Sequence, residues 1–344
     1  MIYYGKHNIN QDDIDAVVDV LKSDFLTQGP KVPEFEENLK KYCNAKYAKV
    51  VSNATAALHL GYLAIGLKKG DIVWTSPNTF VSTANAALYC GAEVDFVDID
   101  PKTYNMSIEH LENKLIQAKI DNRLPKLVVP VHFAGQSCEM KEIWQLSKEY
   151  NFKVIEDASH ALGGSYLGKK VGNCEYSHMS VFSFHPVKMI TTGEGGAITT
   201  NSKALDEKVS LLRSHGITKE EDKFKSKSHG SWYYEQHVLG FNYRLTEIQA
   251  ALGISQLKRL DSFVSRRREI ASFYLENLNE AITPFQHPDS NSSWHLFVIQ
   301  VEDRKKVFAK LSDRGIQTQV HYIPVTSQPF YESESLENSE SVYE

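Results

Sequence analysis

The segment SVFSFHPVK (Ser180–Lys188), followed by TTGEGGA (Thr191–Ala197), is the most informative stretch of this chain. An apolar strand leads into a loop that holds a single lysine, and a glycine-rich turn leads into another strand. A lysine in a loop is normally solvated, but the residues around Lys188 are apolar or small. A desolvated lysine can serve as a nucleophile that bonds to a carbonyl carbon. The segment therefore predicts two strands joined through a chemically active lysine.

An acidic pair precedes this segment, in IEDASH (Ile155–His160). Glu156 and Asp157 stand at the C-terminal end of an apolar strand. In open parallel sheets, ligands bind outside the carboxyl ends of the strands. A carboxylate there can pair with a cationic ring nitrogen or a metal, although aspartates at strand ends are also common caps.

A third motif, SNATAAL (Ser52–Leu58), joins a strand to an alanine-rich helix. The free amides and positive end of such a helix favour an anion such as phosphate, but the motif could also be an ordinary helix N-cap. An aspartate, a lysine and a phosphate cradle are together the set that pyridoxal phosphate requires. Asp157 would keep the ring nitrogen protonated, Lys188 would bond to the aldehyde, and the helix start would hold the phosphate.

Strands alternate with helices on both sides of these motifs, which predicts a mostly parallel sheet covered on both faces. Short apolar strands are expected near 47–51, 71–75, 93–97, 126–131, 153–156, 179–183 and 196–200. Helices are expected at 55–66, 79–90, 107–118 and 138–150, after two earlier helices that begin near Asn10 and Pro33.

The pattern changes after about residue 213, which predicts a smaller C-terminal α+β domain. A polar loop at 219–235 leads to a long helical region, Leu245–Asn279. A strand (Trp294–Val301), a helix (Arg304–Arg314) and a strand (Gln317–Tyr322) are expected to follow. We therefore predict a large α/β domain over 10–245 and a small domain over 246–344, with residues 1–9 as an N-terminal arm.

Composition excludes several classes of protein. The chain has 344 residues, a net charge of −5, 42% hydrophobic and 24% charged residues, which is ordinary globular usage. A mildly acidic chain is a poor nucleic-acid binder, and no run approaches the length of a membrane span. The four cysteines show no metal-binding or disulfide spacing, and the first residues do not read as a signal peptide. We expect a cytoplasmic protein with no metal site and no nucleic-acid or membrane partner.

Taken together, the motifs resemble the DegT/DnrJ/EryC1/StrS family of sugar-nucleotide aminotransferases, and the resemblance covers nearly the whole chain. The family has the type I fold of pyridoxal phosphate (PLP)-dependent transferases, that of aspartate aminotransferase. The matching segments are Ser52–Leu58, Ser76–Asn85, Glu156–His160, Phe182–Lys188, Gly193–Ala197 and Gly240–Gln249.

The resemblance implies a role for each matching residue. Lys188 would be the catalytic lysine that bonds to PLP and moves the proton, and Asp157 would pair with the pyridine nitrogen. Phe80 would stack on the cofactor ring, and the phosphate would be bound by Thr55, Ala56 and Ser183. His160 would lie near the ring hydroxyl, at a position where many members of the family have glutamine. Asn242 would reach the partner subunit's cofactor, which implies a homodimer.

Three of these positions admit another interpretation from the residues alone. Phe80 could be a core residue, and Asn242 could be a helix N-cap. His185, close to Lys188, could be taken for a general base, but we expect a structural role.

Within the family, the chain is most similar to the branch that acts in pseudaminic acid biosynthesis. Those enzymes transfer an amino group from L-glutamate to C4 of a UDP-linked 4-keto-6-deoxy-N-acetylhexosamine. The strings that support this are Leu26–Gly29, Ser159–Gly163, Leu212–Gly216 and Gln319–Tyr322. By resemblance the sugar nucleotide would contact Tyr4, Leu26, Thr27, Gln28, Gly29, His321, Tyr322, Ile323 and Pro324.

One alternative function is that of a 4-aminotransferase for a GDP- or dTDP-linked keto sugar. Two further alternatives are a PLP-dependent sugar dehydratase and a non-catalytic PLP-binding regulator. The dehydratases resemble this fold but have histidine where the lysine belongs, so Lys188 argues against them. A regulator would be expected to have lost Lys188 or Asp157.

The negative charge of the chain is concentrated in residues 326–344. This segment holds five glutamates and no lysine, arginine or aspartate. Members of the family continue with a strand and a terminal helix, so we expect the segment to be an exposed approach to elements that this chain lacks.

Overall fold

A computed structural model describes residues 1–331 and 336–343 and is built around a seven-stranded sheet. The strand order is β1-β9-β8-β5-β4-β2-β3, and β9 runs antiparallel to both of its neighbours while the other pairs are parallel. The strands are β1 (Tyr47–Val51), β2 (Ile72–Thr75), β3 (Glu93–Phe96), β4 (Leu127–Val129), β5 (Lys153–Asp157), β6 (Ser165–Tyr166), β7 (Lys169–Lys170), β8 (Met179–Ser183), β9 (Gly196–Thr200), β10 (Ile217–Thr218), β11 (Glu235–Gln236) and β12 (Ser290–Asn291). The predicted mostly parallel sheet is confirmed, and all seven of its strands lie where the apolar runs indicate.

Helices connect the strands and cover both faces of the sheet. They are α1 (Gln11–Leu21), α2 (Lys31–Cys43), α3 (Ala54–Ala64), α4 (Ser82–Tyr89), α5 (Ile108–Ile120), α6 (Met140–Tyr150), α7 (Lys203–Arg213), α8 (Glu247–Leu257), α9 (Leu260–Asn277), α10 (Arg304–Asp313) and α11 (Glu337–Tyr343). The sequence pattern does not indicate α7, because its apolar residues form a narrow stripe of which Val209 is the one buried side chain.

Side-chain caps explain where several helices begin. Asn10 closes a capping box with Asp13 at the start of α1, as its position before the first apolar stripe predicts. Thr246 forms the same kind of box with Gln249 at α8. Asn53 accepts a hydrogen bond from the Ala56 amide at the start of α3. Each cap satisfies backbone donors that have no partner inside the helix.

Apolar side chains fill both faces of the sheet. On one face, Phe35 and Leu39 of α2 and Ile254 of α8 pack with Phe182 of β8. On the other face, α3 packs its Leu58 and Leu60 onto the strands. Fully burying a side chain of this size contributes about 1.5–3 kcal/mol. These layers fix the carboxyl ends of β5 and β8, where the predicted functional residues lie.

The long helical region predicted over Leu245–Asn279 is two helices. The Arg259 amide donates to the Gln256 carbonyl, which makes a tighter turn between α8 and α9. The side chains of Gln256 and Arg259 both donate to Asp13, and this buried carboxylate fixes the turn. The break therefore depends on a tertiary contact that the helical periodicity does not encode.

The predicted strands Trp294–Val301 and Gln317–Tyr322 are wrong. Within the described residues the first segment forms one isolated bridge, Gln300 with Ile282, and the second follows the isolated bridge of Ile316 with Ile2. An apolar run becomes a strand only where a neighbouring segment supplies a hydrogen-bonded ladder. The helix predicted between them is confirmed as α10.

The described part of the acidic segment packs on the sheet, so the expectation of an exposed approach is wrong for it. The Tyr331 hydroxyl donates to Asn85 Oδ1, and the amides of Asn338 and Ser339 donate to the Asp98 carboxylate. Thr326 and Ser339 are buried. Glu332, Glu334 and Glu344 lie outside the described residues. The division into domains at residue 245 stays a prediction.

No helix in the described residues combines the length and apolar character that crossing a bilayer requires.

Candidate active site

Lys188 and Asp157 lie close together at the carboxyl edge of the sheet. Asp157 is the last residue of β5, and Lys188 follows β8, which pairs in parallel with β5. Burial lowers the pKa of Lys188 to about 8, and the attraction of Asp157 partly opposes that shift. Near neutral pH, an appreciable fraction of Lys188 is therefore an uncharged amine. The predicted desolvation of this lysine is what the structure shows.

Three donors orient the Asp157 carboxylate. Oδ2 accepts from Thr83 Oγ1 at 2.7 Å, and Oδ1 accepts from Ser159 Oγ at 2.6 Å and from the Ser159 amide at 3.1 Å. Asp157 is buried, so these bonds fix its rotamer and satisfy its oxygens. The sequence does not indicate this role for Thr83, although the residue lies in the motif Ser76–Asn85, because its contact with Asp157 depends on how α4 packs.

The neighbouring carboxylate, Glu156, points away from Asp157 and has a structural role. Burial opposes its ionisation, but hydrogen bonds from His132, Ser177 and Ser180 lower its pKa overall. His132 Nε2 lies 2.7 Å from Glu156 Oε2, and the hydrogen bonds that His132 makes outweigh its burial and raise its pKa to about 10. The pair is therefore a buried ion pair beneath the strand end.

The start of α3, where the sequence predicts an anion cradle, has free amide donors. The Ala56 amide donates to Asn53 Oδ1, so the amides of Ala54 and Thr55 are the donors that the helix leaves without an acceptor. Gly196 faces this turn so closely that an added Cβ would lie 2.6 Å from the Asn53 carbonyl carbon. Gly196 pairs with Ser183 across β8 and β9, which brings Ser183 to the same edge.

His160 lies inside a cluster of buried rings. Its Nε2 is 3.2 Å from the Tyr322 hydroxyl, and its ring centroid is 4.5 Å from that of His295. Burial and the nearby Lys188 cation lower the pKa of His160 well below its usual range. His160 is therefore a neutral imidazole. The sequence does not indicate that His295 joins this cluster, because a lone histidine in an apolar run carries no signal of its contacts.

The N-terminal arm and the C-terminal segment meet beside this cluster. The Tyr4 hydroxyl lies 2.8 Å from His321 Nε2, and the Tyr322 amide donates to Asn78 Oδ1 at 3.2 Å. A Cβ on Gly5 would contact Val187, the residue before Lys188. The structure thus brings the predicted Tyr4, His321 and Tyr322 together near Lys188. Ile323 is exposed and Pro324 is buried on the adjoining turn.

The segment Leu26–Gly29 lies elsewhere, at the start of α8. Thr27 pairs with Thr246, and the Leu26 carbonyl accepts from the Glu247 amide. Gln28 has φ of 53°, and Gly29 abuts Glu247. Leu26, Thr27 and Gln28 are exposed. The described contacts of this segment are with α8 and not with the cluster around Lys188.

Phe80 and Asn242 are both exposed. Phe80 exposes 60% of its surface, which excludes the alternative of a core residue. Asn242 pairs with Ser214 in an isolated bridge. It is not a helix N-cap, because Thr246 caps α8. Both side chains are available to a ligand or a second subunit.

This residue set fits pyridoxal phosphate. Lys188 supplies an amine that is partly uncharged, and Asp157 supplies a fixed, buried carboxylate for a ring nitrogen. The start of α3 supplies amide donors for an anion, and the space beside them stays open because Gly196 has no Cβ. His160 keeps Nδ1 without a protein partner although it is buried.

Comparison with known proteins gives the same assignment. Residues 7–344 match the DegT/DnrJ/EryC1/StrS aminotransferase family. The UDP-4-amino-4,6-dideoxy-N-acetyl-beta-L-altrosamine transaminase of Campylobacter jejuni subsp. jejuni serotype O:23/36 is 44% identical over 100% of this chain and 90% of that protein. The GDP-perosamine synthase of Escherichia coli O157:H7 is 35% identical over 92% of this chain and 83% of that protein.

A solved structure extends the agreement to three dimensions. Helicobacter pylori PseC, described as an aminotransferase involved in the biosynthesis of pseudoaminic acid, superposes with a TM-score of 0.88. It is 35% identical and covers 99% of this chain and 91% of that chain. This chain therefore belongs to the DegT/DnrJ/EryC1/StrS aminotransferase family and has the PLP-dependent transferase fold that its motifs predict.

Proposed function

We propose that this enzyme moves an amino group from L-glutamate to C4 of a UDP-linked 4-keto-6-deoxy-N-acetylhexosamine, a step of pseudaminic acid biosynthesis. The observation that carries the transamination is the placement of a desolvated Lys188 beside a fixed Asp157. The similarity to the C. jejuni transaminase supports the choice of sugar.

The cofactor, when bound, supplies a protonated pyridine ring that withdraws electrons from the reacting carbon. Asp157 holds the proton on the ring nitrogen, and Thr83 and Ser159 hold Asp157 in place. Lys188 has a pKa of about 8, so its amine can take a proton from Cα of the amino donor and return it elsewhere. When the keto sugar is the acceptor, the proton transfers run in the opposite order, and the same amine donates a proton to the sugar carbon that receives the amino group.

The surrounding residues orient the substrates and exclude water. His160, Tyr322 and His321 present neutral polar groups beside Lys188, and burial lowers the pKa of His321 to about 4. Phe80 stacks on the cofactor ring, and Thr55 and Ser183 hold its phosphate, which Ala56 borders while its own amide donates to Asn53 Oδ1. Tyr4 and the segments 26–29 and 321–324 contact the sugar nucleotide.

The active enzyme is a cytoplasmic homodimer in which Asn242 reaches the cofactor of the partner subunit. The exposure of Asn242 next to the bridge with Ser214 supports this, because it leaves the side chain available to a second copy.

The second candidate is a 4-aminotransferase for a GDP- or dTDP-linked keto sugar, and the 35% identity to GDP-perosamine synthase favours this rival over the others. A dehydratase or a silent regulator is disfavoured, since Lys188 and Asp157 are both present and adjacent.

A panel of 4-keto sugars linked to UDP, GDP and dTDP tests the choice. The purified enzyme is loaded with PLP and supplied with L-glutamate, and 2-oxoglutarate and the amino sugar are quantified. We expect the highest kcat/KM for the UDP-linked N-acetylhexosamine. A preference for a GDP- or dTDP-linked sugar would replace the proposal by the second candidate. Turnover by a Lys188→Ala variant would contradict both.

A further inference from the structure

Arg267, on α9, is a guanidinium with an unusual set of partners. Its Nη1 donates to the carbonyls of Trp294 and His295 at 3.1 and 3.0 Å. Among residues 1–331 and 336–343, no carboxylate lies within 4.0 Å of it. One edge of the guanidinium is therefore anchored to backbone, and its charge has no counter-ion there.

The other edge of Arg267 is available to a ligand. Nε and Nη2 donate to no acceptor in the described residues. Neither atom is enclosed by the protein, so both reach solvent. Burial lowers the pKa of the guanidinium, while the nearby Tyr4 raises it. A partly desolvated guanidinium with free parallel N–H groups matches the geometry of a carboxylate.

Arg267 also borders the site described above. The Tyr4 hydroxyl, near Arg267, lies 2.8 Å from His321 Nε2. His295, whose carbonyl anchors Arg267, stacks on His160. Electrostatic repulsion from Lys188 and from Arg267 acts on His295.

The local charge balance favours an anionic ligand. Asp157 is the carboxylate that acts on Lys188, Arg267 has no carboxylate of its own, and burial keeps His160, His295 and His321 neutral. An incoming carboxylate would compensate the unpaired positive charge and complete the hydrogen bonding of the guanidinium.

We propose that Arg267, with the Tyr4 hydroxyl beside it, is the subsite that binds a carboxylate of the dicarboxylic amino donor. This rests on the proposed transaminase function, in which the amino donor and the sugar nucleotide occupy the site in turn, so the Tyr4 hydroxyl can contact each of them. Arg267 is thereby a specificity-determining residue, because an amino donor without the matching carboxylate leaves the charge unpaired.

Arg268 provides a matched control on the same helix. Its guanidinium donates to the backbone carbonyls of Ser292 and Asn291, so it anchors the neighbouring loop as Arg267 anchors residues 294–295. Replacing either arginine removes two side-chain-to-backbone hydrogen bonds. The proposal concerns Arg267 alone.

The test uses Arg267→Gln, Arg267→Lys and Arg268→Gln in the PLP-loaded enzyme. The spectral change with L-glutamate in the absence of sugar gives a limiting rate and a half-saturating concentration. Calorimetry with 2-oxoglutarate and with UDP gives two equilibrium affinities. For Arg267→Gln we expect a roughly 10- to 100-fold higher half-saturating glutamate concentration, a matching loss of 2-oxoglutarate affinity and unchanged UDP affinity.

Arg267→Lys should fall between wild type and Arg267→Gln, because it keeps the charge but not the planar fork, and it serves as the test if Arg267→Gln does not fold. Arg268→Gln should match wild type. Unchanged glutamate saturation in the Arg267 variants, an equal loss of UDP affinity, or an equal effect of Arg268→Gln overturns the proposal. The reaction with glutamate needs no sugar. This test of Arg267 can therefore be interpreted even if the proposed sugar substrate is wrong.

Discussion

Lys188 combines a low pKa with a position beside a single fixed carboxylate. Burial disfavours its charged form, and the pKa of about 8 places the change of charge near physiological pH. A lysine on the surface would be almost entirely protonated there and a poor nucleophile. The sequence indicates this, because apolar and small residues flank the lysine on both sides.

The low pKa of Lys188 predicts a pH-dependent stability. The unfolded chain binds a proton at this lysine up to about pH 10.5, and the folded chain loses it near pH 8. The cost of burying the cation is therefore full below pH 8 and disappears as the pH rises to 10.5. Cofactor-free Lys188→Met should resist urea better than wild type at pH 7, and the difference should shrink between pH 8 and 10.5.

Exposed Lys203, on α7, is the control for that comparison. The difference in urea stability between Lys203→Met and wild type should stay constant between pH 8 and 10.5. A constant difference for Lys188→Met across this range would mean that the lysine is not desolvated.

The Thr83 hydroxyl should matter because it orients Asp157. Thr83→Val keeps the shape of the side chain but removes the 2.7 Å hydrogen bond to Oδ2. A hydrogen bond to a charged group is worth about 1.5–3 kcal/mol, which corresponds to a roughly 10- to 100-fold slower reaction with L-glutamate. Single-turnover absorbance measurements test this, and Thr83→Ser should restore most of the rate. Equal rates for Thr83→Val and wild type would exclude the orienting role.

At the scale of elements, α3 and β9 meet at the predicted anion cradle. Gly196 lets β9 pass close to the first residues of α3, where Asn53 caps the helix. The cap and the close approach together leave the amides of Ala54 and Thr55 pointing to one place.

A side chain at position 196 should disrupt this cradle. The Cβ of Gly196→Ala would lie 2.6 Å from the Asn53 carbonyl carbon and 2.7 Å from the Ala54 nitrogen, so the start of α3 must move. We expect a loss of about 1–3 kcal/mol in the free energy of unfolding and release of PLP on dialysis. Gly61→Ala, whose Cβ has its nearest neighbour at 3.5 Å, is the control and should retain the cofactor. Retention of PLP by Gly196→Ala would place the phosphate elsewhere.

The sequence predicts elements well where their pattern is local. The apolar runs that form β5 and β8 and the cap at Asn10 all depend on neighbouring residues, and each is where the pattern indicates. The segments 294–301 and 317–322 also contain apolar residues, but pairing with a distant segment decides whether they become strands. The turn between α8 and α9 likewise depends on Asp13, which is more than two hundred residues away.

The residues of the candidate site also divide into those with a local sequence signature and those whose role depends on tertiary packing. Lys188 and Asp157 carry local signatures, a lysine in an apolar loop and a carboxylate after a strand. Thr83, His295 and Arg267 have no such signature, because each acquires its role from packing between distant elements.

At the scale of the molecule, the proposed homodimer shares its active sites between subunits. Lys188 belongs to one subunit's site, and exposed Asn242 is proposed to reach that of the partner. Mixing Lys188→Ala with Asn242→Ala chains, after mild dissociation and reassociation, should form dimers in which one site has both native residues. We expect activity above that of either variant alone.

A monomer mass of 39.0 kDa in sedimentation, or no gain of activity on mixing, would contradict a shared site. A mixture of wild type with Lys188→Ala is the control for subunit exchange, and its activity should follow the fraction of wild-type chains.

The most direct test of the account is the chemical identity of the residue that holds the cofactor. The purified enzyme, loaded with PLP, is reduced with borohydride, digested, and sequenced by mass spectrometry. We predict that the phosphopyridoxyl mass is found on Lys188, and that Lys188→Ala incorporates none and does not convert L-glutamate to 2-oxoglutarate. A label on another lysine, or an unlabelled and colourless enzyme that still transfers the amino group, would contradict it.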